Sequence, residues 1–540
     1  MRTLFLHAGA LCASIGAIPA CKLVQTTCDV EQTCPPGDGA TVMADGGSAP
    51  AIDAAAFDQR SNDDADTGLA DGDGGGAIDD GPVERGDGSD GFVCPKNADP
   101  KDQPCVIDDS VGVFVSPHGK PDGDGTKASP LKSINAAIAA AKDRAGGGAR
   151  RRVYACGGTY AEAIAIDATH DGTQLFGGLH CADWSYTGEK TAIAPASPGI
   201  ALTLSSLTSA LFVDVEIDAP SAPQTSPPTA SASGASSVAV RADLATGVEF
   251  RRATIAAANG QPGASGVLNA YTFPSTTDLL GNPASGASGG AAKVFACPGG
   301  LTTTGGKGGN SPAASGDPGL PALMGGAGGS TAQCVSGQGG SPGASASVAA
   351  NGAPAATVGT LATGGVWQPS AGVDGSGGSP GQGGGGGGAV SPGGGGSGGA
   401  GGCGGAGGGG GGGGGASAAV IAFASEVTFT DSTLVTMAAG NGGNGAAGQP
   451  GQSQGGNGGL PDSTGGCQGG RGGAGGAGGA GGGGAGGLSV GVLYKGATPT
   501  IDALTAAHFV AGQAGAKGTG GAAGVNDGVA GMSSLSLAAP

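Results

Sequence analysis

The densest set of residues able to do acid–base work is Asp214, Glu216, Glu249, Arg251 and Arg252. Dividing acid and base roles, or holding a cation, requires carboxylates that converge within a few ångströms. Asp214 and Glu216 alternate with apolar residues in Leu211-Phe-Val213-Asp-Val215-Glu-Ile217, as Glu249 and Arg251 do in Val248-Glu-Phe250-Arg. In a strand, alternation places such residues on one face. Stacked, the two strands would offer two or three carboxylates and a base. The same residues also make a solvated ladder with Glu216 opposite Arg251, worth well under ~1 kcal/mol. The ladder is the favoured reading, because alanine, threonine and glycine replace the acids in later copies of the motif.

Other candidates are weaker. Asp122-Gly-Asp124-Gly-Thr126 reads as a turn, which aspartate stabilises through its neighbouring backbone. Asp71-Gly-Asp73-Gly-Gly75 looks like half of a calcium loop, but Pro82 stands where the twelfth-position Glu belongs. His118, His170, His180 and His508 are isolated, and no Ser-His-Asp spacing, HExxH or phosphate loop occurs. The expectation is therefore no catalytic residue, no metal ligand and no cofactor, with calcium the only cation considered. Trp184, Tyr186, Tyr160 and Trp367 could stack on sugar rings, although Trp184 reads as packing near Cys181.

The elements that must carry these residues are repeats. Val248-Glu-Phe250-Arg-Arg-Ala-Thr254-Ile255 matches Val427-Thr-Phe429-Thr-Asp-Ser-Thr433-Leu434, with a weaker copy at Pro499-Thr-Ile501-Asp-Ala-Leu-Thr505 and an earlier relative at Leu211–Ile217. Short strands precede the last three copies, at Val238–Val240, Ala418–Ala422 and Leu488–Val492. Alternation predicts Val213, Val215, Val248, Phe250, Val427, Phe429 and Ile501 inside, with Asp214, Glu216, Glu249, Arg251, Thr428, Thr430 and Asp502 outside. One such unit cannot bury its apolar side alone; stacking at ~4.8 Å does so. Upstream, a strand is predicted at Val111–Val115. Ser129 and Pro130 supply an N-cap and first position for a helix with a Leu131, Ile134, Ile138, Ala141 stripe, ended by Arg144 and Gly146-Gly147-Gly148. Strands follow at Val153–Cys156, Ile164–Asp167 and Gln174–Phe176.

The stretch VFVSPHGKPDGDGTKASPLKSINAAIAAA, then VYACGGTYAEAIAI, then LFGGLHCADWSY resembles the opening of secreted right-handed parallel β-helix proteins of the pectin-lyase-like superfamily. The resemblance implies an all-β, right-handed parallel β-helix with an N-terminal capping helix. It also implies an outer-face site, acidic with calcium and a basic residue in the lyases, paired aspartates in the hydrolases. Many members with this opening have no known activity.

Glycine separates the copies. It fills 124 of 540 positions, far above the ~7% of ordinary chains. Long inserts follow Ile255, Leu434 and Phe509, each opening on a three-residue glycine step such as Gly442, Gly445, Gly448, Gly451. Three residues per turn is the repeat of polyproline II, so much of Gly440–Gly487 and parts of Gly260–Gly415 are expected to order as polyglycine or polyproline-II-like helices bonded to one another. Their composition is similar to glycine-rich PE-PGRS repeats; the PE module is missing, so that likeness is compositional.

The N-terminus reads as an export signal. Arg2 precedes an apolar stretch from Leu4 to Ile18, and Ile18-Pro19-Ala20-Cys21 resembles a bacterial lipobox, in which Cys21 becomes lipidated. Lys22, rather than Asp, favours outer-membrane sorting. From Asp45 to Gly91, twelve Asp and Glu84 against Arg60 and Arg85 make a disordered acidic spacer. The net charge of −18 argues against nucleic acid. With Cys12 removed and Cys21 lipidated, ten cysteines remain for an oxidising compartment. Sequential pairing is expected: Cys28–Cys34, Cys94–Cys105, Cys156–Cys181, Cys297–Cys334 and Cys403–Cys467.

The expected organisation is a signal peptide (1–20), a lipidated N-terminus and linker (21–91), cap and first rungs (92–257), a glycine-rich insertion (258–415), a rung (416–439), a second insertion (440–487), and a last rung with a glycine-rich segment (488–540). The expected function is a non-catalytic lipoprotein of the bacterial cell envelope, outer membrane or surface. Its partners would be the membrane, through the lipid, and a polysaccharide or surface matrix. The alternative is a polysaccharide lyase or hydrolase.

Overall fold

Alternating β-branched and aromatic residues, in runs cut short by Gly, Ser or Asp, produce many brief strands. The computed structural model describes residues 94–540 apart from 96–97, 145–150, 224–229, 332–333 and 335–338. The expected signal peptide, Cys21, Cys28, Cys34, the acidic spacer and Gly146-Gly147-Gly148 lie outside the described residues. The protein is mostly strand, with few helices, and its three main sheets are built of parallel strands, except that Tyr186–Glu189 joins Thr173–Leu179 antiparallel at the side of the first.

The chain visits the three sheets in a fixed order. Sheet A runs through Gly112–Lys120, Arg151–Cys156, Thr173–Leu179, Ala210–Val213, Val248–Arg251, Val427–Thr430 and Thr500–Ile501. Sheet B holds Gly158–Tyr160, Thr191–Ile193, Val215–Asp218, Thr254–Ala256 and Thr433–Val435. Sheet C holds Ile164–Ile166, Ile200–Ser205, Ser237–Asp243, Ser417–Phe423, Ser489–Lys495 and Ser533–Ala538. Equivalent residues of successive circuits stand in register. Phe250 pairs with Phe212 and Phe429, and Ile255 with Ile217 and Leu434. The phenylalanine rings stack with centroids 5.0 and 5.4 Å apart. This buried column is continuous with Val240, Val420 and Val492 of sheet C.

One inward assignment needs correction. Val213 does not face the phenylalanine column; it packs with Phe114, Phe176 and Trp184 on the other side of sheet A. The reason is the corner at Asp214. Asp214, Arg252 and Asp431 have φ of 55°, 48° and 48° and occupy equivalent corners between sheets A and B. A left-handed residue breaks the strand, so alternation restarts after it. Phe212, not Val213, is therefore the equivalent of Phe250. The corners are held by neighbours: Asp214 N donates to Arg251 O at 3.1 Å and Arg252 N to Thr430 O at 2.9 Å.

The first helix spans Ile134–Arg144, not from Ser129-Pro130 as expected. Ser129 instead closes a turn, its carbonyl accepting from Gly125 N at 3.0 Å. The true start is capped from afar: Glu162 accepts from Ile134 N at 2.6 Å and from Ser133 Oγ at 2.7 Å. A remote carboxylate satisfies the orphan amides that a local cap would otherwise take. The predicted stripe is buried, with Leu131, Ile134, Ile138 and Ala141 packing on Val113, Val115 and Val153.

Every long glycine-rich segment runs from the sheet B side to a sheet C strand. These segments are bonded at every third residue. Gly440, Gly443, Ala446, Gln449 and Gln452 donate to the carbonyls of Gly415, Gly412, Gly409, Ala406 and Cys403, at 2.7–2.9 Å. Gly414, Gly411, Gly408, Gly405 and Gly402 donate to Ala485, Gly482, Gly479, Gly476 and Gly473. Gly372, Gly375, Gly378 and Gly381 donate to Gly411, Gly408, Gly405 and Gly402. The 402–415 segment thus has bonded neighbours on several sides, and a side chain on its close-packed faces is excluded. A Cβ at Gly411 would collide with the Gly443 carbonyl. Glutamine side chains add to the bonding: Gln449 Oε1 accepts from Ala406 N at 3.1 Å and Tyr271 N at 2.8 Å.

Disulfides join Cys94 to Cys105 and Cys156 to Cys181. The next two correct the expected sequential order, being Cys297–Cys403 and Cys334–Cys467. Sequence proximity misleads here because chain-adjacent residues are not lattice neighbours. Cys403 lies fully buried among neighbouring glycine-rich segments, beside Gly475 and Gln452.

Candidate functional site

The acidic column does not converge. Glu216 belongs to sheet B, between Ala192 and Thr254, whereas Arg251 belongs to sheet A. The expected Glu216–Arg251 ladder is replaced by a pair within one strand, Arg251 Nε to Glu249 Oε1 at 2.5 Å. Asp214 is not outward either. Its side chain is 6% exposed and receives Arg252 Nε at 3.0 Å, Arg252 Nη2 at 2.8 Å and Tyr186 Oη at 3.1 Å. Arg252 Nη2 also meets Asp99 Oδ2 at 2.9 Å. Asp99 had no sequence signal, being distant in the chain.

This cluster is built to stay charged. Burial opposes the Arg252 cation, but its hydrogen bonds to Asp214 and Asp99 prevail and raise its pKa. Burial, then the Asp214 charge, pushes Tyr186 up to about 12. Burial and neighbouring Glu216 raise Asp218. Every group in the Arg252 cluster is engaged with another, an ion-pair knot rather than a place for substrate.

Other sequence candidates are engaged in structural contacts. Asp124 Oδ1 accepts from Thr126 N at 3.0 Å, closing the predicted turn. His170 meets Asp167 and His180 meets Asp183, each three residues away. Among the described residues, no group of three or more His, Cys, Asp or Glu is placed to hold a metal ion. Tyr160 is buried and donates to Val115 O at 2.9 Å. Trp184 packs edge-on against Phe114 and donates from Nε1 to Lys127 O at 3.3 Å.

Trp367 differs. The antiparallel hairpin Gly359–Ala362 and Val366–Pro369 lies on the outer face of sheet C, where Leu361 and Trp367 pack with Val238, Ile421 and Leu493. At its edge is a cleft of about 340 Å³, with Ile200, Val238 and Ile421 as apolar lining, beside Arg241, Val366 and Trp367. Arg241 and Asp243 alternate along Ser237–Asp243, on the face opposite Val240 and Ala242 of the core. The hairpin tip covers both. A Cβ on Gly365 would stand 3.1 Å from Arg241 Cγ, and one on Gly364 4.0 Å from Asp243 Oδ2. Both glycines have positive φ, 80° at Gly364 and 66° at Gly365.

Three buried polar atoms here lack a hydrogen-bond partner: Arg241 Nε, Asp243 Oδ1 and Trp367 Nε1. They are all of the described side-chain atoms with that property. Such an atom costs about 1–3 kcal/mol, so three in one place require a reason. Arg241 and Asp243 escaped the sequence reading because it ended that strand at Val240. Charges at alternate positions beyond an apolar run were the signal available. No known family model matches the chain, nor does any curated protein or solved structure.

Proposed function

We propose that this is a non-catalytic lipoprotein of the bacterial cell envelope, carried at the outer membrane or cell surface by lipid on Cys21, with a structural, adhesive or matrix-binding role. In this reading the three sheets form a right-handed parallel β-helix of pectin-lyase-like type, the Ile134–Arg144 helix caps it, and the glycine-rich inserts are polyproline-II-like helices. The observation that carries the reading is the bonding of inserts to one another at every third residue. Inserts so bonded form a broad slab, poor in charge, beside the sheets. Loose loops would not hold such a surface. The dispersal of Asp214, Glu216 and Glu249 into separate contacts supports the non-catalytic part.

Mass spectrometry of the mature N-terminus tests the anchor. A diacylated Cys21 is expected, since two chains give stable membrane attachment where one does not; an unmodified Cys21 or a later start removes it. Attachment of bacteria displaying the full chain to polysaccharide-coated surfaces tests the adhesive role, which fails if deleting the chain leaves attachment unchanged. Incubation with polyuronides, read as absorbance of unsaturated ends and as reducing ends, tests the lyase and hydrolase alternative. Turnover would replace the present reading.

A further inference from the structure

We propose that the cleft under the Gly359–Pro369 hairpin binds a single neutral pyranose unit. The proposal rests on the matrix-binding reading and gives it a location. Four observations converge. First, the cleft combines apolar floor residues, Ile200, Val238 and Ile421, with an indole, Trp367. A pyranose presents a face of C–H groups that packs on such a surface while its rim remains polar. Second, the unpaired atoms are two donors, Arg241 Nε and Trp367 Nε1, and one acceptor, Asp243 Oδ1. Neighbouring hydroxyls accept from the first two and donate to the third, and each hydroxyl can do both. Arg241 and Trp367 line the cleft and Asp243 stands beside it, so these buried side chains must turn toward a ring seated at the hairpin edge to meet it.

Third, the charges select against ions. Arg241 lines the cleft, and Asp243 adjoins it two residues along the same strand face. An anion gains from Arg241 what it loses to Asp243, and a cation meets the reverse; a neutral hydroxylated ring uses both. Fourth, the volume of about 340 Å³ is at the low end of the ~300–1,000 Å³ range of small-ligand sites, which suits one sugar unit. The hairpin that brings Trp367 comes from the glycine-rich insertion, so the insertion supplies one wall of the site and sheet C the other.

The test uses the mature, disulfide-bonded chain. Its two tryptophans are Trp184 and Trp367, so Trp184→Phe leaves Trp367 as the sole indole reporter. Methyl β-D-glucopyranoside, methyl α-D-mannopyranoside, methyl β-D-galactopyranoside and methyl β-D-glucuronide are titrated separately, with emission and heat as readouts. The expected result is saturable binding of at least one neutral glycoside and none of the glucuronide. In the wild-type background, Arg241→Met and Trp367→Phe, read by heat, remove the donors while keeping an apolar side chain at each position and weaken binding about tenfold or more, with unchanged far-UV circular dichroism. Asp243→Asn is expected to weaken the neutral glycoside and admit the glucuronide. The proposal is overturned if no neutral glycoside binds, if the glucuronide binds the wild type better, or if binding persists in both Arg241→Met and Trp367→Phe. Surface attachment that survives in any of these cases leaves the adhesive reading standing without this site.

Discussion

Arg252 grips Asp214 across two successive circuits through Nε at 3.0 Å and Nη2 at 2.8 Å, and both residues turn the chain at equivalent left-handed corners. Asp214 is buried, and Arg252, itself partly buried, also reaches Asp99. Removing one partner of a buried pair strands the other, so Arg252→Met is expected to destabilise the fold by about 3 kcal/mol. Arg251→Met, beside it, loses only an open pair with Glu249 and should cost under ~1 kcal/mol. Urea denaturation of the two variants compares them; equal shifts would show that the corner knot is not a structural clasp.

Tyr186 completes that knot by donating to Asp214 at 3.1 Å. Burial and the neighbouring carboxylate hold its hydroxyl protonated up to about pH 12, against ~10 in an unfolded chain. The unfolded chain thus loses this proton first as pH rises. The contribution is fully present below about pH 10 and disappears between about 10 and 12. Absorbance at 295 nm, taken as the difference between wild type and Tyr186→Phe, should show the ionisation near the upper limit. An ionisation near pH 10 in the folded protein would contradict the geometry.

The bridges Cys297–Cys403 and Cys334–Cys467 cross in sequence, each with one end inside the span of the other. Non-reducing peptide mapping should recover these two linkages and no Cys297–Cys334 peptide. Replacing Cys297 and Cys403 together by serine releases a loop of 106 residues and is expected to cost about 5 kcal/mol on the chain-entropy account. Recovery of Cys403 linked to Cys467 would place the glycine-rich segments in a different order.

What the sequence made legible follows from what is local. The Phe250 and Phe429 repeat exposed the stacked circuits because identical neighbours must pair in register. Val213 was misplaced because a left-handed corner at Asp214 resets alternation, and aspartate there carries no mark that glycine would have carried. Glu162 went unnoticed as a cap, and Asp99 as an ion-pair partner, because each acts on residues far away in the chain. Arg241 and Asp243 look like two ordinary surface charges until the Gly359–Pro369 hairpin is laid over them. That placement depends on the folding of the whole intervening insertion.

The glycine lattice offers the most direct test of how composition becomes structure. Gly411 donates to Gly482 at 2.9 Å and accepts from Gly372 at 2.8 Å, and its α-carbon faces the Gly443 carbonyl too closely for a methyl group. Gly411→Ala must therefore push two segments apart and weaken the three-residue ladder on both sides. Helix or strand propensity plays no part, since the backbone there is in neither. In wild type, hydrogen exchange should find the amides of Gly405, Gly408, Gly443 and Ala446 protected far beyond random coil, because their bonds are repeated along the ladder and enclosed by neighbouring segments. In the alanine variant protection should fall across the 402–415 and 440–452 segments, yet persist in the sheet A residues Phe250 and Phe429, whose pairing does not depend on them. Random-coil exchange in the wild-type segments would mean that the inserts are loose loops, and the slab on which the adhesive reading stands would be lost.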